Sequence, residues 1–161
     1  MKKILPLITL ILYVNAYSYA ASMNALVIKV SDGDTVTVLD KEKVTHKIRL
    51  QGIDAPEKKQ AYGEKSKQNL ALLVSNKWVL VNYTKHDKYG RIIGRLTLGD
   101  KDVCLQQIAA GMAWHYKKYQ NEQTQHEVIL YEQAELKSRN SKIGLWSDQN
   151  PIPPWDFRKN K

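Results

Sequence analysis

From residue 25 onward the chain alternates apolar and polar positions over short stretches, the period-two pattern of strands with one buried face. Residues 26–31, 35–39 and 44–53 read as three consecutive strands. Asp32-Gly33-Asp34 supplies the first turn, where glycine accepts a positive φ without steric cost, and residues 40–43 supply the second. After a loop over 54–62 the period lengthens, because Leu70, Leu73 and Val74 fall at helical spacing within 63–76. Residues 78–84 and 92–98 return to the strand pattern across a polar loop. A second helix is expected over 104–110, stopped by Gly111, and a third over 123–138, with Gly144 ending the helical region. The closing stretch 151–161 holds three prolines and is expected to run extended, packed back through Trp155.

Five short strands, a helix between the third and fourth, and helices after them predict a mainly β domain with α (α+β). A five-stranded Greek-key barrel of the OB-fold kind with three packing helices suits this order, since closure removes the exposed strand edges. Other arrangements of five strands fit the same pattern. The 161 residues are one domain's worth, which excludes a repeat array. The expected division is a signal peptide at 1–20, the barrel domain at 21–150 and a proline-rich tail at 151–161.

The leader reading rests on Lys2 and Lys3 before an apolar run at 4–14, then Ser18-Tyr19-Ala20 with small residues where a signal peptidase reads. Pro6 and Thr9 interrupt that run, and it falls short of the roughly 18–20 residues that cross a bilayer. Cleavage after Ala20 implies a secreted or periplasmic protein without stable membrane association. Cys104 is the single cysteine, so no intramolecular disulfide forms, and its place between Val103 and Leu105 suits the core. Lys and Arg outnumber Asp and Glu by 25 to 16, a net charge of +9 that favours a polyanionic partner, either nucleic acid or an anionic membrane.

Candidate chemistry decides between those partners. Asp34 follows a glycine turn and Asp54 ends the third strand, so a barrel can bring both carboxylates together. Such acids are hard oxygen ligands suited to Ca²⁺ or Mg²⁺, and the histidines at 46, 86, 115 and 126 lack ligand spacing and read as structural or solvent-facing. Pro56 holds Ala55 extended, which leaves the Ala55 carbonyl available as a third ligand. Arg49 and Arg91 carry planar guanidinium forks that match phosphate oxygens. Asp-Gly-Asp alone is an ordinary hairpin turn and a lone arginine an ordinary surface group; it is the combination that points to a metal beside a phosphate.

Val30-Ser31-Asp32-Gly33-Asp34-Thr35-Val36, Ile48-Arg49-Leu50-Gln51-Gly52-Ile53-Asp54-Ala55-Pro56-Glu57, Asp87-Lys88-Tyr89-Gly90-Arg91 and Gly144-Leu145-Trp146 occur in that order. In these motifs the chain resembles the staphylococcal nuclease (thermonuclease) family, from about residue 25 to residue 146. The resemblance implies an OB-fold barrel with three helices and a calcium-dependent phosphodiesterase that cuts DNA and RNA to 3′-phosphate ends. It implies metal ligands at Asp34, Asp54 and Ala55, a catalytic trio of Arg49, Glu57 and Arg91, and substrate contacts at Lys88, Tyr89, Trp114 and Tyr116. Many family members carry Thr at the position of Ala55, so a hydroxyl is lost there while the carbonyl is kept.

The stretch Trp114-His115-Tyr116-Lys117-Lys118-Tyr119 interleaves rings with cations, which suits base stacking and a preference for single strands. A noncatalytic nucleic-acid-binding barrel is the chief rival, but such a domain needs charge and rings without the acids. A membrane-surface module needs a basic amphipathic helix, and 63–76 offers only Lys65 and Lys67 against Glu64 near its start. A monomer acting on DNA and RNA is the expectation.

Overall fold

The computed structural model describes residues 21–159; the expected signal peptide lies outside the described residues. β1 (Ala21–Asp32), β2 (Thr35–Asp40) and β3 (Thr45–Leu50) form an antiparallel meander. The expected third strand, 44–53, is broken at residues 51 and 52, where Gly52 takes a φ of 75° that only glycine adopts freely. Beyond the break, Ile53–Asp54 form a separate two-residue strand, β4.

α1 (Gly63–Val74) lays Leu70 and Val74 against the barrel. β5 (Trp78–His86) then pairs antiparallel with β1, and β6 (Ile92–Leu98) pairs antiparallel with β5. β6 also runs parallel to β3, with Ile48 opposite Ile92, Arg49 opposite Ile93 and Leu50 opposite Gly94. That pairing closes a five-stranded barrel in the order β3-β2-β1-β5-β6, the OB-fold arrangement. Inward positions Val27, Val36, Val38, Ile48, Val81 and Leu96 are fully buried and fill its interior.

β7 (Lys101–Asp102) leads into α2 (Val103–Ala109), whose first turn is capped by the Asp102 carboxylate accepting from the Leu105 N–H. Cys104 is fully buried there, as expected, and burial pushes its thiol far up. β8 (Trp114–His115) pairs antiparallel with β4, so Asp54 faces Trp114 across a short second sheet. α3 (Gln125–Asn140) starts and ends two residues later than its expected span, because Thr124 and Glu127 form a capping box that sets its first turn.

The tail is not extended throughout. Residues Pro154–Lys159 form a short helix, α4, with Pro154 at its first position, where the fixed φ favours a helix and the missing N–H costs nothing. The Asp156 and Phe157 N–H groups donate to the Pro153 carbonyl at 3.1 and 3.0 Å. Asp156 in the first turn and Arg158 and Lys159 in the last suit the helix dipole. Trp155 packs α4 onto a second small core of Trp114, Leu145 and Trp146.

Candidate active site

Two glycines let separate elements converge on the acids. A Cβ on Gly33 would lie 1.8 Å from the Ser66 hydroxyl of α1 and 2.8 Å from the Ala55 Cβ, so only glycine lets the β1–β2 turn approach both. Gln107 of α2 locks that turn by donating to the Gly33 carbonyl at 2.7 Å. A Cβ on Gly63 would lie 2.0 Å from the Glu57 carbonyl oxygen, so the start of α1 presses directly on the loop that carries Glu57.

Asp34 and Asp54 are thereby buried side by side. Asp34 Oδ2 accepts from the Ala55 N–H at 2.8 Å, and its Oδ1 accepts from the Thr35 hydroxyl at 3.0 Å. Arg49, on the closing strand β3, links the two acids: Nη2 lies 2.8 Å from Asp54 Oδ1 and 3.2 Å from Asp34 Oδ2. Its Nη1 donates to the carbonyls of Leu50 at 2.7 Å and Ile53 at 2.8 Å. Burial opposes the charge on Arg49, but Asp34, Asp54 and Asp32 outweigh it and hold the guanidinium more firmly protonated than usual. Burial pushes the Asp54 carboxyl up, against the pull of its arginine partners.

Opposite these acids, Asp87 organises the loop between β5 and β6. Its Oδ1 accepts from the N–H groups of Tyr89 at 2.9 Å and Arg91 at 3.0 Å, and its Oδ2 accepts from Arg91 Nε at 2.7 Å. The terminal nitrogens of Arg91 make no hydrogen bond among the described residues, while the guanidinium carbon lies 5.6 Å from the Tyr89 ring centre. Glu57 stands on the loop after β4, its backbone fixed by Gln60, which donates to the Glu57 carbonyl at 2.8 Å and accepts from the Glu57 N–H at 3.0 Å. Asp34, Arg49, Asp54, Glu57 and Arg91 line one cavity of about 580 Å³, together with Lys88, Tyr89 and Tyr116.

Residues 47–148 match the family described as staphylococcal nuclease homologue. The chain belongs to the staphylococcal nuclease family. It is 40% identical to an uncharacterized endonuclease of Escherichia coli, over the whole of both chains. It is 40% identical to an uncharacterized endonuclease of Haemophilus influenzae, over 84% of this chain and 72% of the other. A micrococcal nuclease of Shigella flexneri is 36% identical, over 86% of this chain and 82% of its own. Membership makes the chain a nuclease, a phosphodiester hydrolase, and this family uses a metal ion.

Among the described residues no group of three or more His, Cys, Asp or Glu side chains clusters as a metal site. The two buried carboxylates that share Arg49 Nη2 are nevertheless oxygen donors of the kind that suits a hard cation.

Not every expected contact of this nuclease-family chain reaches the cavity. Trp114 is 7% exposed and lies outside it, packed edge-on against Trp146 at 4.3 Å and Trp155 at 5.5 Å, so it has no open face for a base. Tyr116 does line the cavity, but Trp155 stacks on its ring at 5.3 Å and 7°. Tyr119 lies edge-on to Tyr116 at 5.1 Å and joins the same wall. His46 pairs with Asp40 at 2.7 Å, and His115 is buried and bonded to Gln123 at 2.9 Å.

Sequence reasoning missed three residues. Asp87, which orients Arg91, stood in view within its motif. Asp32 read only as a turn residue, yet burial and then the neighbouring Asp34 push its carboxyl up to about 6. Arg158 lies 104 residues from Asp54 in the chain and had no local signal; its Nη2 contacts Asp54 Oδ2 at 2.8 Å and its Nη1 contacts Glu57 Oε1 at 2.8 Å.

The Asp32 shift has a testable sign. A carboxyl whose folded pKa is raised contributes stability that is complete below its unfolded pKa, near 3.8, and lost as pH rises through about 6. In chelator, Asp32→Asn therefore melts close to wild type at low pH and several degrees above it beyond pH 6, as read by thermal denaturation across pH. A constant difference across the range would show that Asp32 is not the titrating group.

Proposed function

We propose that the chain is an exported, calcium-dependent nuclease that hydrolyses DNA and RNA, favours single strands and leaves 3′-phosphate ends. The observation that carries this reading is that Asp34, Arg49, Asp54, Glu57 and Arg91 line one cavity although they come from four separate segments. A binding barrel has no need to bury two carboxylates beside its phosphate-binding arginines.

Asp34, Asp54 and the Ala55 carbonyl would hold Ca²⁺, which when bound supplies a Lewis acid toward the phosphate oxygens. The chain's own residues do the rest. Arg91, oriented by Asp87 through Nε, presents its terminal nitrogens to two phosphate oxygens, and Arg49 adds positive charge beneath the acids. Glu57 takes a proton from water as the water oxygen bonds to phosphorus. The bond from phosphorus to the 5′ oxygen then breaks, giving a 3′-phosphate and a 5′-hydroxyl. Arg91 stabilises the leaving oxygen by charge and keeps its own proton, so a second water molecule supplies the proton that completes the 5′-hydroxyl.

Lys88 and Tyr89 beside Arg91 suit the next phosphate, and the exposed Tyr89 ring suits an unpaired base. Trp114 supports the wall from behind. Among the described residues no helix is long and apolar enough to cross a membrane, and the leader pattern supports export.

The test is cleavage of end-labelled single-stranded DNA by the chain from Ala21 onward, with Ca²⁺ and then with chelator. Cutting that depends on Ca²⁺ and leaves 3′-phosphate ends is expected. Salt-sensitive binding without cutting under any divalent cation would make this a binding barrel.

A further inference from the structure

α4 occupies the groups that nuclease chemistry needs. Arg158 contacts both carboxylate oxygens of Asp54, at 3.2 and 2.8 Å, and one oxygen of Glu57 at 2.8 Å. On the same short helix, Trp155 lies flat on Tyr116, the ring in the cavity wall that would otherwise offer a face to a base. A purely structural tail would bury apolar groups against apolar neighbours, as Trp155 does against Trp114. This one also saturates a carboxylate that a hard cation would claim.

The two arginines at Asp54 differ in how firmly they are held. The Arg49 side chain is 13% exposed and is anchored by two backbone carbonyls besides the acids. Arg158 is 40% exposed, comes from a six-residue helix near the chain end, and among the described residues bonds only to Asp54 and Glu57. A divalent cation cannot share both Asp54 oxygens with a guanidinium, because like charges repel strongly where water is scarce. Arg158 is the group able to yield, since its hold on the cleft is through Asp54, the acid the cation would take, and Glu57.

We propose that the C-terminal helix is a built-in competitor for the nuclease cleft: Arg158 covers Asp54 and Glu57, Trp155 covers Tyr116, and cation and nucleic acid enter by displacing them. This rests on reading the cavity as the substrate site. A cleft that is open about a tenth of the time binds its ligands about tenfold more weakly than an open one.

Two binding measurements without turnover test it. In chelator, a labelled single-stranded oligodeoxynucleotide followed by anisotropy should bind Arg158→Gln and Trp155→Ala/Arg158→Gln several-fold to about tenfold more tightly than wild type. The direction is informative, because removing a positive charge by itself weakens binding to a polyanion. Calorimetric titration with Ca²⁺ should likewise show tighter binding by Arg158→Gln. Arg158→Gln leaves the tryptophan cluster intact, so the test stands if the double variant folds poorly. Unchanged or weaker binding by Arg158→Gln overturns the proposal and makes Arg158 a substrate contact or a fixed part of the wall. Failure of the nuclease reading is separate: it is the absence of cutting by wild type and variant alike under every divalent cation, whatever their affinities.

Discussion

Glu57→Gln lowers single-turnover cleavage by about 10²- to 10⁴-fold, the range supplied by a positioned general base, and does not lower the affinity for single-stranded DNA. Glutamine keeps the shape of the side chain and an oxygen that can accept from Arg158 Nη1, so the contact with α4 survives in weaker form. The loop conformation is set by the two backbone bonds to Gln60, which the substitution does not touch. The expected loss is that of the basic oxygen proposed to take the proton from water. Saturating single-turnover kinetics beside anisotropy in chelator separates the two effects. Wild-type turnover in Glu57→Gln would remove Glu57 from the reaction, and a parallel loss of DNA affinity would recast it as a binding residue.

The parts of this site visible in the sequence are those built from neighbouring residues. Arg49 and Asp54 lie five positions apart around one turn, and the Asp87-to-Arg91 loop closes on itself through Asp87, so their motifs carry their geometry. The barrel was legible as a class, because strand periodicity and turn residues show five strands. Its closure depends on the parallel β3–β6 pairing, which no local pattern announces. β4 and β8 are two residues long, too short for alternation to show, and their pairing is what turns Trp114 inward.

The tail packs back through Trp155 as expected, but its extended backbone was misread for a different reason. Proline after proline reads as extended, yet a proline at the first helical position favours a helix, and Trp155 to Lys159 contains no breaker. Once α4 forms, Arg158 reaches carboxylates 104 and 101 positions back in the chain. The interleaved rings at 114–119 were correctly seen as aromatic; which of their faces stay open depends on where Trp155 lands.

Arg49→Met abolishes cutting and, unlike Glu57→Gln, also destabilises the fold, by about 3–5 kcal/mol, the cost of removing one partner from a buried ion pair. Methionine fills much of the volume but cannot bond, so Asp34 and Asp54 lose their shared cation and the Leu50 and Ile53 carbonyls lose a donor. Arg158 still compensates Asp54, whereas Asp34 keeps only the Ala55 N–H, the Thr35 hydroxyl and its local contacts. The loss depends on pH in a determined direction. Burial already pushes the Asp54 carboxyl up, and without Arg49 this acid becomes harder still to ionise. The folded pKa of Asp54 then lies further above its unfolded one, so the variant is least impaired in acid, where this carboxyl is protonated, and loses stability as pH rises through the folded value. Urea denaturation in chelator at pH 4.5 and pH 8 should therefore give a small gap from wild type at the lower pH and the full gap at the higher. Adding Ca²⁺ at pH 8 should recover part of the difference, because a cation that binds only the folded acids stabilises by mass action. An Arg49→Met variant as stable as wild type at pH 8 would mean that the carboxylates do not depend on Arg49 for their charge.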